Sequence, residues 1–403
     1  MMMRMNLRDI QESLAKHHVD AWVLYDFRGS NTLAWQMLDV PADAHCTRRW
    51  MVVIPAKGSP TKIVHRMEQG PLEHVSINSV VYDTGLSWSE SVRETLAPYQ
   101  TIAMEYSPMN ELPVVSKVDA GTMDMMRSFE KNVVSSADLI QHYTAVLSED
   151  QLAGAAVTGG LLRDIVFSAF NLVRTQLLSG GTINEYDVQQ HILAEFERHN
   201  LETDSAPIVA IGPNASSPHY APSYLEHSNI PTESVLVIDA WCKKRVPGAT
   251  YADITWVGYT GVAVPAEIDR SFSIIADARN AALTLVAERF RASESVRGYE
   301  VDNACRNVVR DRGMASAFIH RTGHNITTEV HGPGANMDDF ETHDTRVILP
   351  GTMFSIEPGI YIPGVLGLRT EIDVVVLHDG SVTVPSSPMQ SSVLPLLSDD
   401  WKQ

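Results

Sequence analysis

The chain has 403 residues, 44% of them hydrophobic and 20% charged, enough for a sizeable core divided between two domains and ordinary for a soluble globular protein. A formal charge of −18 disfavours nucleic acid as a partner, because phosphate binding needs basic stripes and the one basic cluster, Lys243-Lys244-Arg245, reads as a solvated turn. Three isolated cysteines, charges among the first residues and no apolar run of membrane-spanning length make a cytoplasmic protein without membrane association the expectation.

The first part alternates elements in an α/β manner. Residues 8–17 form an amphipathic helix, and Ala21 to Tyr25 an apolar strand that ends in the polar turn Asp26 to Asn31. Strands are predicted at 50–54, 62–65, 79–82 and 101–105, with a helix near 89–97. His45 and His65 stand alone, so residues 1–140 read as a supporting or assembly domain, its end falling within 120–147. Residues 141–403 have another texture. Ser148-Glu149-Asp150-Gln151 has capping-box spacing before a mostly apolar helix to about Leu178, and Thr182-Ile183-Asn184-Glu185 is a second such box before a helix to about Asn200. Strands follow at 207–211, 235–239 and 251–259, then helices over 266–292 and 299–312.

The second half of this region repeats the first. Tyr186 matches Tyr299 at a shift of 113, Gly212-Pro213-Asn214 matches Gly323-His324-Asn325 at 111, and His219 matches His331 at 112. Asp239 and Asp253 match Glu357 and Glu371 at 118. One order at nearly one offset indicates two helix-helix-sheet units facing each other across a shared site.

Each unit carries an acidic hairpin. Asp239 and Asp253 lie 14 residues apart around Pro247-Gly248, and Glu357 and Glu371 lie 14 apart around Pro363-Gly364. Position 364, midway between the glutamates, falls in their turn and sets them nearly opposite each other; the aspartates are close to the same arrangement. Like charges about 5 Å apart at an effective dielectric near 20 repel by roughly 3 kcal/mol, so carboxylates inside apolar strands call for protons or a cation. Four carboxylates and His324 suit two divalent ions, Mn, Co, Fe or Zn, with Mn or Zn foremost. Two such ions share a bridging water as nucleophile and polarise a carbonyl, which makes metal-assisted hydrolysis the expected reaction.

At these residues the sequence resembles the metallopeptidase family of aminopeptidase P, prolidase (Xaa-Pro dipeptidase), creatinase and methionine aminopeptidase. The resemblance covers roughly 150–395, and more loosely the first 140 residues, which resemble the N-terminal domain of the prolidase, aminopeptidase P and creatinase branch. It implies an α+β architecture: a C-terminal pita-bread catalytic domain with an internal pseudo-twofold repeat, behind an N-terminal α/β creatinase-like domain. It also implies metal ligation by Asp239, Asp253, His324, Glu357 and Glu371. His219 and His331 match histidines that contact substrate or stabilise the tetrahedral intermediate, and His320 matches a further active-site histidine. Tyr361 and Arg369 match a tyrosine near the metals and an arginine near substrate or ligands. Glu357, able to take the water's proton, is the candidate general base. The implied substrates are small peptides with proline second, cleaved by a homodimer as dipeptidase or aminopeptidase.

Three positions depart from the family's pattern and bear on substrate preference. Trp241 stands where glycine is common, Trp256 where arginine is common, and Gly332 where glutamate is frequent. Two other readings are a creatinase-like amidinohydrolase, which works without the metals, and a catalytically silent pita-bread binding module. Both typically lack the full ligand set that this chain retains.

Overall fold

The computed structural model describes residues 7–402. It contains two compact units, divided between Thr144 and Ala145.

The first unit runs α1 (Leu7–Lys16), β1 (Ala21–Phe27), α2 (Thr32–Leu38), β2 (Arg49–Pro55), β3 (Thr61–His65) and β4 (Asn78–Tyr82). It continues through α3 (Gly85–Leu96), β5 (Thr101–Met104), α4 (Ala120–Ser128), β6 (Asn132–Ser135) and α5 (Ala137–Thr144). The strands form one mixed sheet in the order β4-β3-β2-β1-β5-β6. Successive side chains of a strand point to opposite faces, and both faces here are covered. Trp22 and Leu24 enter a core with Ile10, Leu33, Met37 and Ile140, whereas Val23 and Tyr25 enter another with Trp88, Val92 and Met123. The polar segment after β1 is more than a turn. Its last residue, Asn31, caps α2 by accepting from the N–H of Ala34, while the Asp26 carboxylate accepts from the N–H groups of Gly29 and Asn31.

The second unit opens with α6 (Glu149–Leu178) and α7 (Glu185–Arg198), then β7 (Leu201–Glu202), β8 (Ile208–Ile211), β9 (Val235–Lys244) and β10 (Ala252–Tyr259). After α8 (Ala266–Arg291) and α9 (Gly298–Asp311) come β11 (Asn325–Ile326), β12 (Thr352–Ile356), β13 (Gly359–Ile362), β14 (Leu366–Arg369) and β15 (Ile372–Val376). The chain closes with β16 (Val382–Thr383) and β17 (Leu394–Pro395). Beside the two-stranded pair β13-β14, one large sheet has the order β17-β10-β9-β7, with β8 also on β9, and the other large sheet has the order β11-β12-β15-β16. Each is covered by its own helix pair. Phe170 of α6 and Ile192 of α7 pack with Ile238 and Ile254, and Val286 of α8 and Val301 of α9 pack with Phe354 and Val374. The helix-helix-sheet repeat is thus present in three dimensions.

Several expectations need correction. By length and composition α6 is apolar enough to cross a membrane, contrary to the reading of the sequence. Its buried residues, from Leu152 to Val173, lie on the face turned to the protein interior. Helix α7 is capped by Asn184 rather than by a box starting at Thr182, because the Glu185 carboxylate turns inward to other partners. Lys243 and Lys244 end strand β9 rather than forming a solvated turn, and Lys243 Nζ donates to the Thr328 carbonyl at 2.8 Å.

The hairpins differ from each other. Ile356 pairs with Ile372 and Gly359 with Arg369, so the two ladders share one register, and Glu357 and Glu371 fall opposite each other in the gap between them. In the first hairpin Asp239 pairs with Thr255 and Asp253 with Trp241. The aspartates are therefore diagonal neighbours, not opposite, because the turn is centred one residue later than their midpoint. They still share a face, at a typical spacing of about 7–8 Å, where the same Coulomb argument leaves roughly 2 kcal/mol of repulsion.

Candidate active site

The two large sheets of the second unit meet along β10 and β15. The N–H of Asp253 donates to Asp373 Oδ2 at 3.0 Å, the N–H of Glu371 donates to the Thr255 carbonyl at 3.2 Å, and Thr255 Oγ1 donates to Glu371 Oε2 at 2.7 Å. Beside this seam lies a cavity of about 460 Å³. It is lined by Asp239, Asp253, His324, Glu357 and Glu371, and also by His219, His320, His331 and Arg369. Tyr361 is buried behind the wall, bonded to two of the lining residues.

Asp253, His324 and Glu371 form the tightest group: each offers a ligand atom within 4.8 Å of the others, and all are buried. His324 Nε2 stands 3.7 Å from Asp253 Oδ2 and 3.4 Å from Glu357 Oε1. Burial pushes the His324 pKa well below its ordinary value, with His331 adding to the effect. A neutral imidazole whose Nε2 lone pair faces carboxylate oxygens is the arrangement a cation resolves. The acids carry the complementary strain. Burial raises Asp253, helped by Asp239; it raises Glu371, helped by Asp253; and it lifts Glu357 to about 7. Asp239 Oδ1 and Asp253 Oδ1 are buried without a hydrogen-bond partner. Buried oxygens of this kind are costly unless paired. An oxygen-rich donor set with one imidazole, strained in this way, fits hard or borderline divalent ions.

Asp239 stands slightly apart from that trio. Its Oδ2 accepts from Arg369 Nη2 in a buried ion pair. Arg369 also donates from Nε to Thr255 Oγ1 at 3.1 Å and from Nη1 to the Tyr361 hydroxyl at 2.9 Å. Tyr361 is bonded in turn to His320 Nε2 at 3.0 Å, and His320 Nδ1 lies 2.7 Å from the Arg321 carbonyl. A carbonyl only accepts, so Nδ1 carries the proton and Nε2 takes the tyrosine's hydrogen. His320 is then neutral, in keeping with a pKa pushed down to about 3 by burial first and Arg369 second.

Contributors without a recognisable local pattern hold the site in place. Ser355 Oγ accepts from the N–H of His324 at 3.0 Å and reaches Glu357 Oε1 at 3.1 Å. Gly323 permits this approach, since a Cβ there would fall 1.9 Å from the Ser355 carbonyl oxygen. In each half, a buried acid on the second helix secures the segment that bears the histidines. Asp302 of α9 accepts from the N–H and Oγ1 of Thr322 at 2.9 and 2.6 Å. Glu185 of α7 accepts from the N–H groups of Ile211 and Ser228 and from the Tyr220 hydroxyl, at 2.8, 2.6 and 2.6 Å, beside His219. Glu185→Gln is expected to lower the free energy of unfolding by about 1–3 kcal/mol, because an amide nitrogen cannot accept from these donors. Urea denaturation checks this, and an unchanged midpoint would count against the clamp.

The same architecture occurs in known enzymes. Dipeptidase PepE from Mycobacterium ulcerans superposes with a TM-score of 0.69 at 22% identity over 96% of this chain and 97% of its own. The prolidase from Pyrococcus horikoshii does so with a TM-score of 0.61 at 18% identity over 96% and 99%. The fold is the pita-bread fold. In sequence, the probable dipeptidase PepE of Mycobacterium tuberculosis is 27% identical over 86% of this chain and 85% of its own length. The Xaa-Pro dipeptidase of Lactobacillus helveticus is 27% identical over 67% of each. The profile of metallopeptidase family M24 matches residues 156–378, and the chain belongs to that family. It is a hydrolase of the metallopeptidase class.

Proposed function

We propose that this enzyme hydrolyses the bond between an N-terminal residue and proline in small peptides, using two divalent ions held by Asp239, Asp253, His324, Glu357 and Glu371. The observation that carries the reading is the gathering of these five side chains and three histidines around one cavity of about 460 Å³, a volume suited to a dipeptide. Mn or Zn is the proposed pair. Bound ions would polarise the scissile carbonyl and lower the pKa of the attacking water.

The chain's own groups supply the rest. Glu357 lines the cavity, placed to accept the water's proton and return it to the leaving proline nitrogen. His331 and His219, on the cavity wall, donate to the oxyanion of the tetrahedral intermediate. Arg369, fixed by Asp239, Thr255 and Tyr361, orients the acids around the reacting bond. Rates on Ala-Pro, Ala-Pro-Ala and Ala-Ala with the protein loaded separately with Mn, Zn and Co test the proposal. Ala-Pro is expected to be cleaved at least about tenfold faster than Ala-Ala, the scale on which a site's shape discriminates substrates. Equal rates on both, or none on any, would refute it.

A further inference from the structure

We infer that Arg279 is a positioning residue for the metal ligands. From behind the site it ties the strand that carries Asp253 to the segment that carries Glu371, and so fixes a spacing on which the two-ion reading above rests. Arg279 lies on α8, is 2% exposed, and makes no ion pair among the described residues. Burial pushes its pKa down to about 10. A charge buried in this way is costly unless its hydrogen bonds are met. The two hydrogens of one nitrogen, Nη1, go to Thr370 Oγ1 at 2.7 Å and to the Gln390 carbonyl at 2.9 Å, while Nε and Nη2 donate to Asn280 Oδ1 at 3.2 and 3.1 Å. Covering a sheet does not by itself call for a charge at this point of the helix. In the matching stretch of α6, Leu162, Ile165 and Val166 are all apolar and buried.

Both acceptors lead to the site. Thr370 stands between Arg369 and Glu371, which line the cavity, and is itself wholly buried outside it. Side chains alternate along an extended chain, so Thr370 turns to the opposite face, where α8 meets it. It lies in the gap between the β12-β15 and β13-β14 ladders, which is crossed by the bond from the Thr370 N–H to the Pro358 carbonyl at 3.2 Å. Within that gap Glu371 gives its own N–H to the Thr255 carbonyl of β10. Arg279 holds the same segment from the back. On its other side, the Gln390 amide closes on Val257 of β10, accepting from its N–H at 2.9 Å and donating to its carbonyl at 2.6 Å. Val257 follows Thr255 and Asp253 on that strand. One guanidinium nitrogen therefore sets the distance between β10 and Glu371, and with it whether Asp253, His324 and Glu371 reach a common ion. Groups that orient metal ligands typically govern affinity by about 10–100-fold.

The test titrates metal-free protein with Mn by calorimetry and follows hydrogen exchange of the same protein over the peptide 366–376, in wild type, Arg279→Met, Arg279→Lys and Thr370→Val. Arg279→Met is expected to weaken Mn binding by about tenfold or more and to speed exchange in that peptide. Arg279→Lys should recover most of both, because one ammonium nitrogen can supply the two bonds that Nη1 makes. Thr370→Val cuts one tie while keeping the charge, and should weaken Mn binding by about threefold or more. Arg174→Met, which removes two bonds to the Leu396 and Ser398 carbonyls, is the structural comparison: its Tm should fall while Mn affinity and exchange over 366–376 stay as in wild type. Unchanged affinity and exchange in Arg279→Met, or an equal loss of affinity in Arg174→Met, would overturn the assignment. Should Arg279→Met not fold, Thr370→Val decides, and wild-type affinity in that variant overturns it. Absence of Mn binding by the wild type would count against the two-ion reading alone, because the exchange comparison still decides on Arg279.

Discussion

Chelation of divalent ions is expected to abolish cleavage of Ala-Pro, and add-back of Mn or Zn is expected to restore it in the wild type but not in Glu371→Ala. Glu371 belongs to the buried trio with Asp253 and His324, whose ligand atoms lie within 4.8 Å of one another. Its replacement removes a proposed ligand and leaves Thr255 Oγ1 without its 2.7 Å acceptor. The ions are asked for several kcal/mol of charge stabilisation in the transition state, so the loss should be about a thousandfold or more. Metal content measured beside the rate separates failed loading from failed chemistry. Stability should follow the same ions. The metal-free site holds buried acids raised by burial and mutual repulsion, together with two unpartnered carboxylate oxygens. Binding at a hundred times Kd adds about 2.7 kcal/mol, which for a unit of this size raises Tm by about 5–10 °C. A Glu371→Ala enzyme with wild-type activity, or a Tm indifferent to metal, would be incompatible with the proposed site.

Arg369→Met should be the most damaging single change outside the ligands. Arg369 is 5% exposed and ties Asp239 to Tyr361 and Thr255. Removing one partner of a buried ion pair strands the other charge, which typically costs about 3–5 kcal/mol. The Tm of the metal-free protein is therefore expected to fall by about 10 °C. Metal addition should return part of that loss, because an ion gives Asp239 a new partner. Activity of the loaded variant should drop by about a hundredfold through misplacement of Asp239 and of the His320-Tyr361 pair. By contrast, Arg127→Met, which breaks an exposed pair with Asp124, should leave both measurements within error. A Tm for Arg369→Met equal to that of wild type would show that Asp239 has another partner.

Much of this architecture was legible in the sequence because its signals are local. Ser148 and Gln151 make the capping box expected of them, and the uninterrupted apolar run of β1 matches a strand buried on both faces of the first sheet. Short helices escaped for the same reason: α2 and α5, at seven and eight residues, offer too few turns for a periodic pattern to stand out. The repeat was visible because each half needs the same helix-helix-sheet unit to bury its own core. The first hairpin was misaligned because the centre of a longer loop depends on how it packs, not on the position of Pro247-Gly248 alone.

The sequence by itself determined which side chains can serve this site. Spacings of 14 residues bring Asp239 near Asp253 and Glu357 near Glu371 across their hairpins, and the registers the turns adopt place each pair on a shared face. Only the tertiary structure decided how their charges are balanced. Arg369 reaches Asp239 across 130 residues of chain, and Thr255 reaches Glu371 across 116. Arg321 lines the same cavity, three residues before His324. Local geometry dictates the direction of a side chain, but the partner of a charge is settled by what the opposite half of the fold brings within about 4 Å of it, where Coulomb and hydrogen-bond energies become decisive.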